Sequence, residues 1–405
     1  MKLLVLAAAY PSPSEPERAV YIENLTRGLV ADGGTRAPGS PRFEATVVAP
    51  RVHEADPLLE MRSGIPVRRF PQPSRGRRLK EISKPSFFLL AAYFASGLAA
   101  VMEVARREGS HAILCHWILP TGPIGAAASA LLGLPLVLFA HGSDLNRYAL
   151  STRLRGALAR WALRRASLVL AASADLRRIA IELGSAEARS TVLPMGVDDA
   201  LFPASSPPTP AERADARRGL GLKPNRPLIL FVGDVTPEKG VPELIEALAA
   251  LSGKGLEVQA ALLGDGPLLP ALREGSSGRW TLPGRVPQPA LREWYRAADL
   301  LVLPSHAEGS PVTVMEAHAC GLPVVGSRVG GIPDLVDDGR TGWLVPPRDG
   351  EALAAVLDGL LRNPEALETA RARLAEGPRD HSSSARARAL AVSLSSLAEL
   401  DGARE

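Results

Sequence analysis

The stretch from Leu300 to Val325 constrains the fold of this chain more than any other. Leu300-Leu301-Val302-Leu303 is an apolar run of strand length, and PSHAEGSPVTVMEAHACGLPVV follows from Pro304. Ser310 is a good N-cap and Pro311 suits the first position of a helix. Gly321 followed by Pro323 is a helix stop. The spacing predicts a helix from Pro311 to Cys320, between two strands. A loop that leaves a strand end and enters a helix is where open α/β sheets bind ligands. The first helical amides, on Val312 and Thr313, favour an anion such as phosphate. Pro311 brings no N–H, and a capping Ser310 occupies one amide, so such an anion site is small. Glu308 in the loop and Glu316 in the helix bracket it, with seven residues between them. An isolated pair of glutamates reads as surface charge. Their place in and after a Gly-Ser-Pro loop behind an apolar run makes them candidates for function.

The same alternation recurs along the chain. Leu3–Ala8, Thr46–Pro50, Ala112–Cys115, Leu136–Ala140, Leu168–Ser173, Pro227–Val232 and Val258–Leu263 read as strands. Helical segments lie between many of them, the first from Ala19 to Leu29 with Val20, Leu25 and Leu29 on one face. Strands alternating with helices predict parallel sheets with ligands at the strand ends. His116 and His141-Gly142-Ser143-Asp144 stand at two such ends. Ser205-Ser206-Pro207-Pro208-Thr209-Pro210 reads as a linker by composition. It divides the chain into domains at 1–204 and 205–375, with a last helix from Ser382 to Leu400 within 376–405. The apolar run Met1–Ala9 lacks a clear cleavage site and reads as a buried first strand, not a signal peptide. Gly264-Asp265-Gly266-Pro267 is a tight strand-to-helix turn, not a dinucleotide-binding fingerprint, which argues against a dehydrogenase.

At 405 residues, with 46% apolar and 22% charged residues, two or three soluble domains are expected. The two cysteines, Cys115 and Cys320, give neither a disulfide framework nor metal-ligand spacing, and fit a reducing cytoplasm. Residues 1–204 carry 25 Lys and Arg against 17 Asp and Glu, and the rest 22 against 26. A basic front and an acidic back argue against nucleic acid as a partner of the whole chain. Arg62, Arg68, Arg69, Arg75, Arg77, Arg78, Lys80 and Lys84 form a basic segment just before the apolar run Pro85–Met102. That run is about the minimum length for a membrane span, but its Pro, Ser, Gly and Tyr favour a buried or interfacial helix. The cations suit the surface of an anionic membrane, or simply a solvated arginine-rich loop. Arg153, Arg155, Arg160, Arg164 and Arg165 recur at mixed spacings and read as a solvated helix face.

Glu308-Gly309-Ser310-Pro311, Glu316-Ala317 and Ala319-Cys320-Gly321-Leu322-Pro323-Val324-Val325 together resemble the signature of retaining glycosyltransferases of family 4. The resemblance implies the GT-B fold, two doubly wound Rossmann-like α/β domains facing each other across a cleft. It implies a nucleotide sugar as donor, UDP-linked ahead of GDP-linked, and a glycan or lipid-linked acceptor. By the same resemblance Glu316 holds the ribose hydroxyls, Glu308 lies near the transferred sugar, and the backbone from Gly309 through Ser310 and Pro311 to Val312 and Thr313 binds the donor. Gly233-Asp234-Val235-Thr236-Pro237-Glu238-Lys239-Gly240 matches the segment whose lysine neutralises the diphosphate, here Lys239, with Gly233 at its start. Val286 in Gly284-Arg285-Val286-Pro287 falls where the backbone meets the base. His141 matches the histidine that approaches the sugar, and His116 and Asp144 are acceptor-side candidates, Asp144 equally a helix cap. Thr191–Asp198 matches a segment whose Gly196 implies a positive φ or a close backbone approach. No metal is expected, since no Asp-x-Asp motif stands in a suitable loop. The chain departs from the family in four places. A Pro-Ser-Pro loop followed by Arg18 replaces the first-loop Gly-Gly pair, Asp234 stands for Arg, Met195 for Asn, and Asp334 for Glu. Arg285 and Arg328 are the cations that could offset Asp234. A nucleotide-sugar 2-epimerase of the same fold and a non-catalytic nucleotide-sugar-binding homologue are the alternatives.

Overall fold

The computed structural model describes the chain except for residues 32–41, 73–75, 78, 80, 81, 83, 84, 204, 205, 277, 377–380 and 403–405, and the side chains of 276 and 398–402. Arg75, Arg78, Lys80 and Lys84 of the basic segment, and Ser205 of the expected linker, lie outside the described residues. The chain forms two units, one of Met1–Gly196 with Ser383–Glu405, the other of Val197–Ser382.

The first unit is built on an eight-stranded sheet: β1 (Lys2–Ala7), β2 (Glu44–Arg51), β3 (Leu59–Arg62), β4 (Ile65–Pro71), β5 (Ala112–His116), β6 (Leu136–Ala140), β7 (Leu168–Ala171) and β8 (Ser190–Val192). Their order is β3-β4-β2-β1-β5-β6-β7-β8, and only the β3–β4 pair is antiparallel. The second unit has six parallel strands: β9 (Leu228–Val232), β10 (Gln259–Leu263), β11 (Thr281–Gly284), β12 (Leu300–Leu303), β13 (Val324–Ser327) and β14 (Gly342–Val345), ordered β11-β10-β9-β12-β13-β14. Both sheets start at a central strand, wind outward, and return to wind the other way. The order reverses between β1 and β5 and between β9 and β12, and ligands of doubly wound sheets bind outside the strand ends at such points. The central strands β6, β9 and β12 are apolar throughout and buried, and β5 is apolar up to a buried His116 at its end, because helices cover both faces of a parallel sheet. The first nine residues confirm this logic from the other end: Leu3 to Ala7 are buried in the middle strand of the first sheet.

The basic segment is not one solvated stretch. Arg62, Arg68 and Arg69 lie on the β3–β4 hairpin, where each finds a carboxylate. Arg69 is 2% exposed, pairs with Glu60 and donates to the Pro11 carbonyl at 2.7 Å. Arg62 pairs with Glu23 at 3.0 Å and Arg68 with Glu103 at 3.1 Å. These three cations therefore serve the fold, with Arg69 anchoring the Pro-Ser-Pro loop. The apolar run becomes a helix, Phe87–Glu108, capped by Ser86 and ended by Gly109 in the left-handed region. It is the one described helix long and apolar enough to cross a membrane by length and composition. Tyr93, Gly97, Ala100, Val101, Val104 and Ala105, at helical spacing, bury one face of it within the first unit.

The division falls at Gly196–Val197, ahead of the proline-rich stretch. That stretch packs into the second unit: Pro208 accepts from the buried Arg213 guanidinium at 2.8 Å, and Pro207 lies against Gly321. The last helix, Ser383–Gly402, packs on helix Val20–Ala31 of the first unit, so closely that a Cβ at Gly28 would stand 2.8 Å from that of Ala387. Gly196 has a negative φ and owes its place to the Ser383 backbone, 2.8 Å from where its Cβ would be.

Several strand-end loops of the second unit touch backbone to backbone. Gly264, after β10, has φ +147°, and a Cβ there would lie 1.8 Å from the Gly233 carbonyl oxygen after β9. Gly264→Ala should therefore lower the stability of the protein by about 2–4 kcal/mol, from steric conflict and an unfavourable φ together. A urea midpoint equal to that of wild type would show that the loop can move aside.

Candidate active site

At the switch point of the second sheet, three loops converge on Glu308. Lys239 ends a single tight turn, Pro237–Lys239, that follows β9. The next residue, Gly240, has φ +70°, and its absent Cβ would fall 1.9 Å from the Pro304 carbonyl at the end of β12. His306 N–H donates to the Glu238 carbonyl at 2.9 Å and ties the same two loops again. Glu308 Oε1 then accepts from Lys239 Nζ at 2.7 Å and from Ser305 Oγ at 2.7 Å. The loop after β13 closes the group, because Gly330 fits against the Glu308 carbonyl where a Cβ would come within 1.8 Å. Glu308 is 9% exposed, and its carboxylate faces one ammonium and one hydroxyl donor.

The following helix runs from Val312 to Ala319. Its N-cap position is Pro311, with φ −70° and ψ 110°, one residue later than the Ser310 cap that the sequence suggested. Pro311 is itself extended, which delays the first helical turn to Val312. Val312 and Thr313 are half-buried at the helix start, and Gly309 and Ser310 are half-buried before it.

Glu316 is held from behind. It is 3% exposed, with Gln288 Nε2 donating to Oε1 at 2.9 Å and Tyr295 OH to Oε2 at 2.7 Å. Burial pushes its carboxyl up to about 6, and the two hydrogen bonds oppose that shift. Burial, with the Glu316 charge beside it, raises the Tyr295 phenol well above its ordinary range, so it stays a donor. Each carboxylate oxygen still has a lone pair to offer a further hydroxyl. Gln288 and Tyr295 were not singled out by sequence. The available signal was their spacing of seven, two turns of helix Gln288–Ala297, which puts them on one face.

Around this centre Gly233, with φ +158°, turns the chain out of β9, and Asp234 follows it fully in solvent. Among the described residues the Asp234 carboxylate has no hydrogen-bond or ion-pair partner. Arg285, after β11, is likewise exposed and unpaired, and Val286 is half-buried beside it. Arg328 is engaged with Asp338 at 2.6 Å, which leaves Arg285 as the uncommitted cation of the two.

In the first unit, the ends of β5 and β6 carry a histidine pair. His116 is fully buried, and its Nδ1 faces His141 Nε2 at 2.9 Å. His141 Nδ1 faces Met195 Sδ at 3.2 Å. A thioether only accepts, so Nδ1 of His141 carries the proton and its Nε2 accepts from His116. Phe139 and Trp117 pack on the His141 ring, at centroid distances of 4.5 and 5.1 Å, and Tyr21 approaches at 5.6 Å. Burial holds His116 down to about 3, and burial together with His116 holds His141 well below its ordinary value. Both imidazoles are neutral. Trp117 sits at φ +70°, an uncommon conformation for a bulky residue at the switch point of this sheet. Asp144 is 1% exposed, and accepts the amides of Ile118 at 2.7 Å, Gly142 at 2.8 Å and His141 at 3.2 Å. The structure thus places Asp144 as the clamp between the two histidine loops.

Two Rossmann-like units with charged and histidine-bearing loops at their switch points define a GT-B architecture. Solved structures of that class superpose on the whole chain: sucrose-phosphate synthase from Thermosynechococcus elongatus, with a TM-score of 0.75 at 22% identity over 100% of both chains, and the Anabaena protein HepE in complex with UDP, with a TM-score of 0.73 at 22% identity over 98% of this chain and 100% of that one. Residues 19–196 match the family described as glycosyl transferase 4-like domain, and residues 226–363 that described as glycosyl transferases group 1. D-inositol 3-phosphate glycosyltransferase 1 of Catenulispora acidiphila is 31% identical over 89% of this chain and 91% of its own length. A Bacillus subtilis protein with the provisional name teichuronic acid biosynthesis glycosyltransferase TuaC is 29% identical over 88% of each. The chain belongs to the family 4 glycosyltransferases of GT-B fold.

Removing the Asp144 carboxylate strands three amides at the end of β5 and β6. Asp144→Ala should cost about 2–4 kcal/mol of stability, measured by thermal unfolding, since three buried donors lose their acceptor. A loss within the range of ordinary surface substitutions would mean that water replaces the carboxylate.

Proposed function

We propose that the protein is a retaining hexosyltransferase that uses a nucleoside diphosphate sugar, UDP-linked ahead of GDP-linked. Its acceptor is a glycan or lipid-linked glycan of the cell envelope, its place the cytoplasm, and its donor chemistry independent of a metal ion. The observation that carries this reading is the Lys239–Glu308 pair at the switch point of the second sheet, with Glu316 anchored on the helix that follows. The UDP complex of HepE and the names of the curated relatives support the donor and acceptor classes.

The chemistry follows from charge. Before the donor binds, Lys239 and Glu308 neutralise each other. A diphosphate takes the ammonium and leaves the Glu308 carboxylate facing the sugar. As the bond from the anomeric carbon to the phosphate oxygen breaks, negative charge grows on the diphosphate, where Lys239 and the amides of Val312 and Thr313 meet it. Positive charge grows on the sugar, which Glu308 stabilises. The acceptor hydroxyl attacks from the face the leaving group vacates, and its proton passes to the departing phosphate oxygen. Glu316, ionised, accepts the ribose hydroxyls.

The test is thermal stability with UDP, GDP and ADP in EDTA, on wild type and on Glu316→Ala. Ligand at a hundred times its dissociation constant adds about 2.7 kcal/mol. One nucleotide should stabilise the wild type and lose its effect in the variant. No shift with any of the three would overturn the donor site.

The raised Glu316 carboxyl gives a pH signature. The folded state holds a proton on Glu316 up to about 6, above the ordinary glutamate value, so this group favours the folded protein most at low pH and its contribution falls as pH rises through that window. Ribose hydroxyls prefer the charged form, so nucleotide affinity should weaken up to about tenfold per pH unit below that value. In Glu316→Gln the same titration should be flatter, and parallel curves for the two proteins would contradict the assignment.

Asp234 stands in solvent near the diphosphate's place. Asp234→Arg should tighten nucleotide binding several-fold by adding a cation where a carboxylate now repels. Equal or weaker affinity would mean that residue 234 does not face the phosphates.

A further inference from the structure

Helix Arg153–Arg165, expected to be a solvated face, carries an exposed apolar stripe. Leu150 is 61% exposed just before it, and Leu154, Leu158 and Trp161 are 67%, 37% and 43% exposed along it. The spacing of four and three puts Leu154, Leu158 and Trp161 on one side of the helix. The same helix has five arginines and no acidic residue. Arg153, Arg164 and Arg165 are exposed, and among the described residues no carboxylate pairs with any of the five. Their described contacts are to neutral groups, Arg155 to Ser151 Oγ and the Tyr148 ring, Arg165 to the Ser129 carbonyl. This differs from Arg62, Arg68 and Arg69, which are all matched.

The stripe is part of a larger layer. Helix Thr121–Leu132 packs beside this helix, with Gly122 against Ala162, and against helix Phe87–Glu108 on its other side, with Ile124 against Gly97. Phe87 and Phe88, at the start of that third helix, are 79% and 84% exposed. Right-handed crossovers place these three helices on one face of the sheet. Helices 87–108 and 153–165 both begin beyond the carboxyl ends of the strands before them, the edge that also carries His116 and His141.

We propose that this layer docks on an anionic lipid bilayer, with Leu150, Leu154, Leu158, Trp161, Phe87 and Phe88 entering the headgroup boundary and the arginines meeting lipid phosphates. Exposed leucine and aromatic side chains on a basic helix without acids match an interfacial helix. Arginine stems lie along the apolar surface while the guanidinium groups reach the headgroups. A second copy of the chain through the same face would bring unpaired arginines together. A nucleic acid would leave the leucines without partners. Resting on the glycosyltransferase reading, this surface makes the acceptor a lipid-linked one, presented at the histidine edge of the first unit.

The test is co-sedimentation of the full chain with phosphatidylcholine vesicles, with and without phosphatidylglycerol, at low and high salt. Wild type should sediment with phosphatidylglycerol-containing vesicles, less so at high salt, and not with phosphatidylcholine alone. Leu154→Ser with Trp161→Ser should weaken binding by about tenfold or more, as buried apolar area is lost. Arg153→Gln with Arg164→Gln and Arg165→Gln should abolish the preference for phosphatidylglycerol. Leu59→Ser with Met61→Ser, exposed on β3, should bind as wild type does. Circular dichroism checks that each variant is folded. Wild type that stays in solution with anionic vesicles, or a stripe variant that binds equally well, overturns the proposal. So does a wild-type dimer, seen by light scattering, that the stripe variant dissolves. Nucleotide-induced stabilisation is read separately: its loss with vesicle binding intact would sink the donor reading and leave the surface standing.

Discussion

Backbone contact between strand-end loops is the constraint on which the second unit depends. Gly264 lies on the Gly233 carbonyl, Gly240 on that of Pro304, and Gly330 on that of Glu308. At each of these three places a Cβ would come within 2 Å of a carbonyl oxygen, and φ is positive. Only glycine meets both demands. Because these loops have no side-chain layer between them, they form one stiff platform along the carboxyl edge of the sheet. Lys239, Glu308 and the start of helix Val312–Ala319 stand on that platform, and the bonds from Lys239 and Ser305 to Glu308 complete it. A site that must hold a charged group in register is better built on such an edge than on a free loop.

The two units solve their electrostatics differently. The second keeps its charges near the surface and balances them in pairs, Lys239 with Glu308 and Arg328 with Asp338, while His306 Nε2 and Glu243 Oε1 lie within hydrogen-bond distance at 2.7 Å. Behind them, Asp299 is met by Arg213 and Arg217, while Arg371 donates to the carbonyls of Ala298 and Asp299. Burial lowers Arg371 to about 10, still far from losing its charge at neutral pH. At the ends of β5 and β6 the first unit removes charge instead. His116 and His141 are neutral, with Phe139, Trp117 and Tyr21 packed around His141, and Asp144 accepts from three amides. One edge therefore carries paired charges and the other neutral imidazoles.

Much of the candidate site was legible because it sits in short local patterns. The run from Leu300 to Val325 showed its strand, loop, helix and strand by apolar periodicity and by Gly-x-Pro punctuation. Capping was less legible: Ser310 looked like a cap, but Pro311 takes an extended ψ and the helix opens one residue later. The β3–β4 hairpin was hidden, since a strand carrying Arg68 and Arg69 reads as a charged loop until Glu103, Glu60 and Pro11 are brought beside it. The Pro-rich stretch looked like a linker for a similar reason. Its partners, Arg213 and Gly321, are not apparent from composition.

By itself the sequence determined what local rules govern: two doubly wound sheets, the placing of histidines and carboxylates at strand ends, and the family signature around Glu308 and Glu316. Those follow from periodicity, turn residues and spacing within a few dozen positions. Tertiary structure alone decided the partners. It put Lys239 on Glu308 across 69 positions, Tyr295 and Gln288 behind Glu316, and Met195 on His141. It also decided which arginines are matched and which are left in solvent on helix Arg153–Arg165. The physical reason is that a charge or a hydrogen-bond donor acquires its chemical meaning from burial and from the group facing it, and both come from distant parts of the chain.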